Sequence, residues 1–279
     1  MQKIKLLALD MDGTAYHRMG YVIEENIKPI QTALKQGVEV VFVTGRPVHS
    51  RPNQIIENGF AKDDQAIIIG YNGGAIYNIA QKKIIKKDPI KADLVRKAFA
   101  LAEQPEFAGS ILWAYVDDLQ TVVTNVAQPS HVANKPNEYL DEMKFFDGNF
   151  AEWKEITPTF NNDCFKMIAF AARPGFIQAL ADLGFEVALD GRTTSEVNAP
   201  GINKAHALKW LLDQLKIDQA HTMAVGDGNN DIAMIKFVGC GVSIANSVEA
   251  VKSVAKLHIP LTNVEGAVAH IIEQYVLKK

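Results

Sequence analysis

Short apolar runs, bounded by Gly, Asp or Asn, recur along the chain at Leu6–Leu9, Val38–Val43, Ala66–Ile69, Met223–Val225 and Val242–Ala245. Runs of this length without polar alternation suit strands buried on both faces of a sheet. Between them, apolar spacing of three and four residues marks helices at Glu25–Gln36, Lys204–Leu215, Asp231–Phe237 and Val248–Lys256. Strand and helix in alternation predict a parallel α/β sheet with right-handed crossovers.

The alternation lapses in mid-chain. A helical stretch at Ala92–Ala102 precedes strand-like Ile111–Val116, Thr121–Val126 and Phe165–Phe170, then a helix at Gly175–Leu183 and the segment Phe185–Leu189. This reads as an α+β unit inserted at 85–189, leaving 1–84 and 190–279 as one discontinuous domain. The polar tracts QKKIIKKDP and DGRTTS flank it. KKIIKK reads as a solvated turn or strand edge before it reads as a nucleic-acid patch. Trp113, Tyr115 and Trp153, inside the insert, read as packing residues.

Composition adds exclusions. With 279 residues, 48% of them hydrophobic and 22% charged, the chain is long enough for two ordinary globular domains. A net charge of −3 supplies no global field for nucleic acid or an acidic membrane. Cys164 and Cys240 are too few for a disulfide framework or a thiolate zinc site and suit a reducing cytoplasm. Lys5 interrupts the first apolar stretch and Asp10 ends it, unlike a signal peptide, and no run approaches a membrane span. A cytoplasmic enzyme or binding protein is expected, with no nucleic-acid or membrane partner, a monomer by default or else a homodimer.

Four segments carry candidate chemistry. In LLALDMDGT an apolar strand ends at Asp10, and Asp12 follows on the same side of an extended chain. Two such carboxylates repel unless one is protonated or a cation intervenes, which suits nucleophile and acid/base roles, although a polar turn would also explain them. In VVFVTGR, Thr44 and Gly45 leave a hydroxyl and an open backbone N–H at a strand end, where phosphate oxygens bind or where the chain merely turns. AVGDGNND brings Asp227, Asn230 and Asp231 onto a tight loop with the oxygen donors that Mg²⁺ requires. Its start also fits a calcium EF-hand, but Ile232 and Val238 stand where that loop needs Gly and Glu. Lys204 opens an amphipathic helix, either as a surface lysine or as positive charge for a phosphoryl group. A P-loop, a G-x-S-x-G elbow and an H-E-x-x-H helix are all absent.

In order and placement, DMDGT, VTGR, GINKAHAL and GDGNND resemble the four motifs of the haloacid dehalogenase-like hydrolase superfamily. The long insert, YNGG at 71–74 and TNVEGAVAHII resemble its Cof-type phosphatase branch. That resemblance implies a Rossmann-like parallel core with an α+β cap that selects the substrate. It implies Asp10 as nucleophile and Mg²⁺ ligand, and Asp12 as acid/base and, through its carbonyl, a second ligand. Asp227 would be the third ligand, with Asp231 supporting from behind. Thr44, Lys204, Asn230 and the N–H groups of Met11 and Gly45 would hold the phosphate. The implied activity is Mg²⁺-dependent hydrolysis of a small phosphorylated metabolite through an aspartyl-phosphate. A sugar phosphomutase or a non-catalytic phosphometabolite sensor remain alternatives. Asn203, Ala205 and the IANS turn depart from the commoner motif residues.

Overall fold

The computed structural model of the chain describes residues 2–18, 20–48, 54–61, 66–126, 137–146, 148–187 and 193–277. It divides into two compact units, Met1–Lys86 with Asn203–Lys279, and Lys87–Ile202. Residues 188–192, around the junction expected at 189/190, lie outside the described residues, and the second unit runs on to Ile202 because Ser195–Asn198 pairs within its sheet.

In chain order the elements are β1 (Leu6–Leu9), α1 (Glu24–Lys35), β2 (Glu39–Val43), β3 (Ile67–Gly70), β4 (Ala75–Asn78) and β5 (Lys83–Lys87). Then come α2 (Ala92–Ala102), β6 (Ile111–Val116), β7 (Thr121–Thr124), α3 (Asn137–Phe145), β8 (Asn149–Glu152), α4 (Trp153–Ile156), β9 (Cys164–Phe170), α5 (Phe176–Asp182), β10 (Glu186–Val187) and β11 (Ser195–Asn198). The chain closes with α6 (Lys204–Leu215), β12 (Thr222–Val225), α7 (Ile232–Phe237), β13 (Cys240–Ile244), α8 (Glu249–Lys252), β14 (Leu257–Ile259) and α9 (Ala267–Ile271).

Among the described residues the first unit holds an eight-stranded sheet, ordered β14-β13-β12-β1-β2-β3-β4-β5. The run from β14 to β3 is parallel, as the apolar runs predicted. β4 turns back antiparallel to β3, a hairpin that strand–helix alternation does not announce. β5 carries KIIKK at the sheet edge with both end residues exposed. Leu6 to Leu9 are buried along the whole of β1, because neighbours flank it on both sides and layers cover both faces. On α6 the spacing Ala207, Leu208, Leu211 and Leu212 presents one apolar face, which packs in the same core as Leu6, Ala8, Val41 and Val43. The helix expected over Val248–Lys256 is shorter, with only Glu249–Lys252 helical. From β1 the chain builds outward in one direction through β2 and β3, and later in the other through β12, β13 and β14. That reversal makes a topological switch point beside β1, where α/β sheets form clefts at the strands' carboxyl ends.

The second unit holds a six-stranded sheet, ordered β10-β11-β9-β6-β7-β8, antiparallel except between β7 and β8. Leu112, Ala114, Met167, Ala169 and Val197 on one face share a core with Val95 and Phe99 of α2 and Phe176 and Leu180 of α5. Trp113 and Tyr115 alternate to the other face and are buried beside Phe146. Trp153 stacks on Phe99 with ring centroids 4.3 Å apart. All three aromatics are therefore packed, as expected. No helix among the described residues is long and apolar enough to cross a membrane.

Candidate active site

The parallel strands of the first unit deliver the candidate residues to one edge. Asp10 follows β1 directly, and its backbone N–H donates to Val225 O at 3.0 Å, which wedges it between the ends of β1 and β12. Thr44 follows β2; its N–H donates to Ile69 O at 2.8 Å, and its Oγ1 accepts from the Arg46 N–H at 3.1 Å. Asp227 lies two residues beyond β12, and Gly45 sits between Thr44 and Arg46.

Lys204 is the first residue of α6, whose N-cap Asn203 accepts from the His206 N–H at 3.1 Å. A cation there opposes the helix macrodipole, and this one is also fully buried. Two carboxylates hold it: Lys204 Nζ lies 2.6 Å from Asp10 Oδ1 and 2.6 Å from Asp231 Oδ1. The other Asp231 oxygen accepts from the backbone N–H groups of Asp227 and Gly228, both at 3.0 Å. Asp231 thus fastens the GDGNND loop to Lys204. Asp227 Oδ1 accepts from Thr14 Oγ1 at 3.1 Å, and its Oδ2 from Asn246 Nδ2 at 3.4 Å. Gly13 closes against the same carboxylate: its φ is +79°, and a Cβ there would lie 2.6 Å from Asp227 Oδ2.

The charges do not balance. Asp10, Asp227 and Asp231 are buried with carboxylate oxygens within 4.8 Å of one another, and among the described residues the cation directly bonded within the group is Lys204. Burial, followed by the charge of Asp231, outweighs Lys204 and pushes Asp10 well above the usual carboxylate range. Burial and Asp231 likewise raise Asp227 to about 6. Burial acts to lower Lys204, but Asp10 and Asp231 override it and hold the ammonium above an ordinary lysine. Surplus negative charge on hard oxygen donors is the setting that a divalent cation relieves, so the donor set fits one.

Asp12 is turned elsewhere. Arg46, itself buried, grips it with both arms of its guanidinium: Nε donates to Asp12 Oδ2 at 2.5 Å and Nη2 donates to Oδ1. Met11 is buried, and its carbonyl accepts from the N–H groups of Thr14 and Tyr16 at 3.1 and 2.8 Å. Asn230 Nδ2 donates to Asn72 Oδ1 at 3.0 Å. Contacts thus join Asp10, Lys204, Asp231 and Asp227 directly, while Asp12 and Asn230 face Arg46 and Asn72. Reading the sequence did not single out Arg46, Thr14, Asn72 or Asn246. Arg46 and Thr14 were legible in principle, since they close the VTGR and DMDGT segments. Asn246 was not, because its link to Asp227 exists only once β13 has returned beside β12.

A sequence profile of haloacid dehalogenase-like hydrolases matches residues 7–272. The 5-amino-6-(5-phospho-D-ribitylamino)uracil phosphatase YcsE of Bacillus subtilis (strain 168) is 30% identical over 281 residues, covering 98% of this chain and 96% of that protein. YbjI of Escherichia coli (strain K12), which bears the same enzyme name, is 25% identical over 277 residues, covering 94% of this chain and 93% of that one. A haloacid dehalogenase-like hydrolase from Bacteroides thetaiotaomicron superposes with a TM-score of 0.76 at 25% identity, covering 98% of this chain and 99% of its own. With its motifs gathered at one sheet edge and the match running almost end to end, the chain belongs to the haloacid dehalogenase-like hydrolases, in their Cof-type phosphatase branch.

Proposed function

We propose that this phosphatase hydrolyses small phosphate monoesters, of sugars or related metabolites, through a covalent phosphoryl group on Asp10. The observation that carries the reading is the buried Asp10 carboxylate at the end of the central strand, fixed by Lys204 within a cluster of surplus negative charge. Asp10, Asp227 and the carbonyl of Asp12 would hold Mg²⁺. When bound, the ion neutralises Asp10 against the anionic ester and stabilises charge on the transferring group.

The residues then divide the work. The Asp10 carboxylate attacks phosphorus, the ester P–O bond breaks, and Asp12 protonates the departing oxygen. In the second step a water attacks the same phosphorus while Asp12 takes its proton, and the bond to Asp10 breaks to release phosphate. Thr44, Lys204, Asn230 and the N–H groups of Met11 and Gly45 hold the phosphoryl oxygens. Asp231 keeps Lys204 and the Asp227 loop in place. Arg46 sets the direction from which Asp12 acts. The unit Lys87–Ile202 serves as the substrate-selecting cap, since the residues assigned to chemistry in the other unit address only phosphate and metal. The enzyme acts in the cytoplasm as a monomer.

Two relatives named for a phosphorylated ribitylaminouracil make polyol and sugar phosphates the first esters to test. Phosphate release should be measured across a panel that includes them, with and without Mg²⁺, for the native chain and Asp10→Asn. Metal-dependent turnover lost in the variant supports the proposal. Activation by a sugar bisphosphate with little phosphate released would select a mutase instead, and metal and phosphate binding without turnover would select a sensor.

A further inference from the structure

Two segments have no part in the chemistry proposed above: the turn IANS at 244–247, which follows β13, and TNVEGAVAHII at 262–272. Both converge on the backbone that follows β1. Between Gly13 and Tyr16, three carbonyls accept from asparagine side chains: Gly13 O from Asn246 Nδ2 at 2.8 Å, Ala15 O from Asn26 Nδ2 at 3.0 Å and Tyr16 O from Asn263 Nδ2 at 3.1 Å. Asn26 and Asn263 are buried, as anchors of a fold should be, whereas Asn246 is exposed. Of the three, Asn246 also reaches a proposed metal ligand, Asp227.

The chemistry of its neighbours fixes how the Asn246 amide lies. Its Oδ1 accepts from the backbone N–H of Asn263 at 2.9 Å, a group that can only donate, so Nδ2 is turned the other way. There it meets two acceptors, Gly13 O at 2.8 Å and Asp227 Oδ2 at 3.4 Å. One nitrogen thus links Asp227 to the residue that follows Asp12. Thr14 Oγ1 holds the other Asp227 oxygen at 3.1 Å, so the carboxylate is held at both oxygens. The turn itself does not need the Asn246 side chain. Ser247 Oγ accepts from the Ile244 N–H at 2.9 Å and donates to Gly226 O at 3.1 Å, and the Ala245 N–H donates to Leu261 O at 2.9 Å.

We infer that Asn246 is a positioning residue for the divalent cation: its amide, oriented by Asn263, sets the spacing between the Asp227 carboxylate and the backbone that carries the Asp12 carbonyl. The inference rests on the metal roles proposed for Asp227 and Asp12. Mg²⁺ demands near-ideal octahedral geometry, whereas Ca²⁺ accepts irregular sets of oxygen ligands. Ligands held at fixed spacing therefore matter more for Mg²⁺, and loosening them shifts the preference between the two ions. A merely structural contact would weaken both alike.

The test is calorimetric titration of the full chain with MgCl₂, and separately with CaCl₂, for the native protein and Asn246→Ala. Thermal midpoints in EDTA and steady-state hydrolysis of p-nitrophenyl phosphate accompany each. Asn246→Ala should melt within about 4 °C of the native chain, because the side chain is exposed and Ser247 still holds the turn. Mg²⁺ affinity should fall about tenfold, and Ca²⁺ affinity less than about threefold. The Mg²⁺ concentration for half-maximal hydrolysis should rise about tenfold, with kcat at saturating Mg²⁺ within about twofold of native. Native Mg²⁺ affinity in Asn246→Ala, or equal losses for the two ions, overturns the inference and leaves the metal ligands standing. A native chain that binds neither ion overturns both. A shifted ion preference without hydrolysis of any ester removes the hydrolase reading and keeps the positioning role.

Discussion

Replacing Lys204 with methionine removes one buried charge at nearly constant volume. At an effective dielectric constant of about 20, unit charges 2.6 Å apart attract by about 6 kcal/mol, and Lys204 has two such partners. Much of that attraction offsets desolvation, and removing one partner from a buried pair costs about 3–5 kcal/mol. The cost depends on pH in a calculable direction. Lys204 is held above an ordinary lysine, so its stabilising contribution is complete below about pH 10 and fades only as pH rises further. Asp10 and Asp227 are raised, which works the other way: each costs stability as pH climbs from about 4 through its folded value, about 6 for Asp227. Without Lys204 the ionised cluster has lost its directly bonded cation, so Lys204→Met should hurt most above pH 7 and least near pH 5. Hydrogen exchange of amides in β1, β12 and α6 reads this unit apart from the other. At pH 7.5 without divalent metal, exchange should accelerate by on the order of 10²–10³-fold. Adding Mg²⁺ should recover part of the loss. Lys209→Met, which breaks an exposed pair with Asp213 on the same helix, should leave exchange unchanged. Native exchange rates in Lys204→Met at pH 7.5 would refute the charge argument.

Further expectations follow from the same geometry. Arg46→Lys keeps a positive charge but loses the two-armed grip on Asp12, so kcat should fall about 10- to 100-fold with KM little changed; an equal rise in KM would show that Arg46 binds substrate instead. Gly13→Ala places a methyl group against Asp227 Oδ2 on a left-handed backbone, and Mg²⁺ affinity by calorimetry should drop about 10- to 100-fold in a chain that still folds. Because burial and Asp231 raise both Asp10 and Asp227, the latter to about 6, metal must displace protons from the pair, and the share that comes from Asp227 is larger at pH 5.5 than at pH 7.5. Calorimetry in buffers of differing ionisation enthalpy should register more proton release and weaker Mg²⁺ binding at the lower pH. Affinity independent of pH across this range would contradict it.

The sequence revealed most where burial was two-sided. LLAL, EVVFV and TMAV form central strands with no polar face, so their apolar runs read directly. β11 was hidden for the opposite reason, since Ser195, Glu196 and Asn198 leave Val197 as its one apolar residue. β14, with three residues, is too short to show a period. In the site, the aspartates and Lys204 announced themselves by type and by their place at strand and helix ends. Their partners did not. Thr14, Arg46, Asn72 and Asn246 are chosen by the folded backbone, which brings together residues 213 positions apart for Thr14 and Asp227 and 233 apart for Asn246 and Gly13. The full burial of Lys204 was also invisible, because an amphipathic helix normally turns its lysines outward.

The covalent step on Asp10 is the central claim, and it can be trapped. In Asp12→Ala, p-nitrophenyl phosphate should still load the enzyme, because its leaving group needs no proton, while hydrolysis of the loaded form stalls. Borohydride reduction followed by peptide mass analysis should then find homoserine in place of aspartate at position 10. Release of p-nitrophenol with residue 10 left unmodified, or with the phosphoryl group on another side chain, would contradict the account.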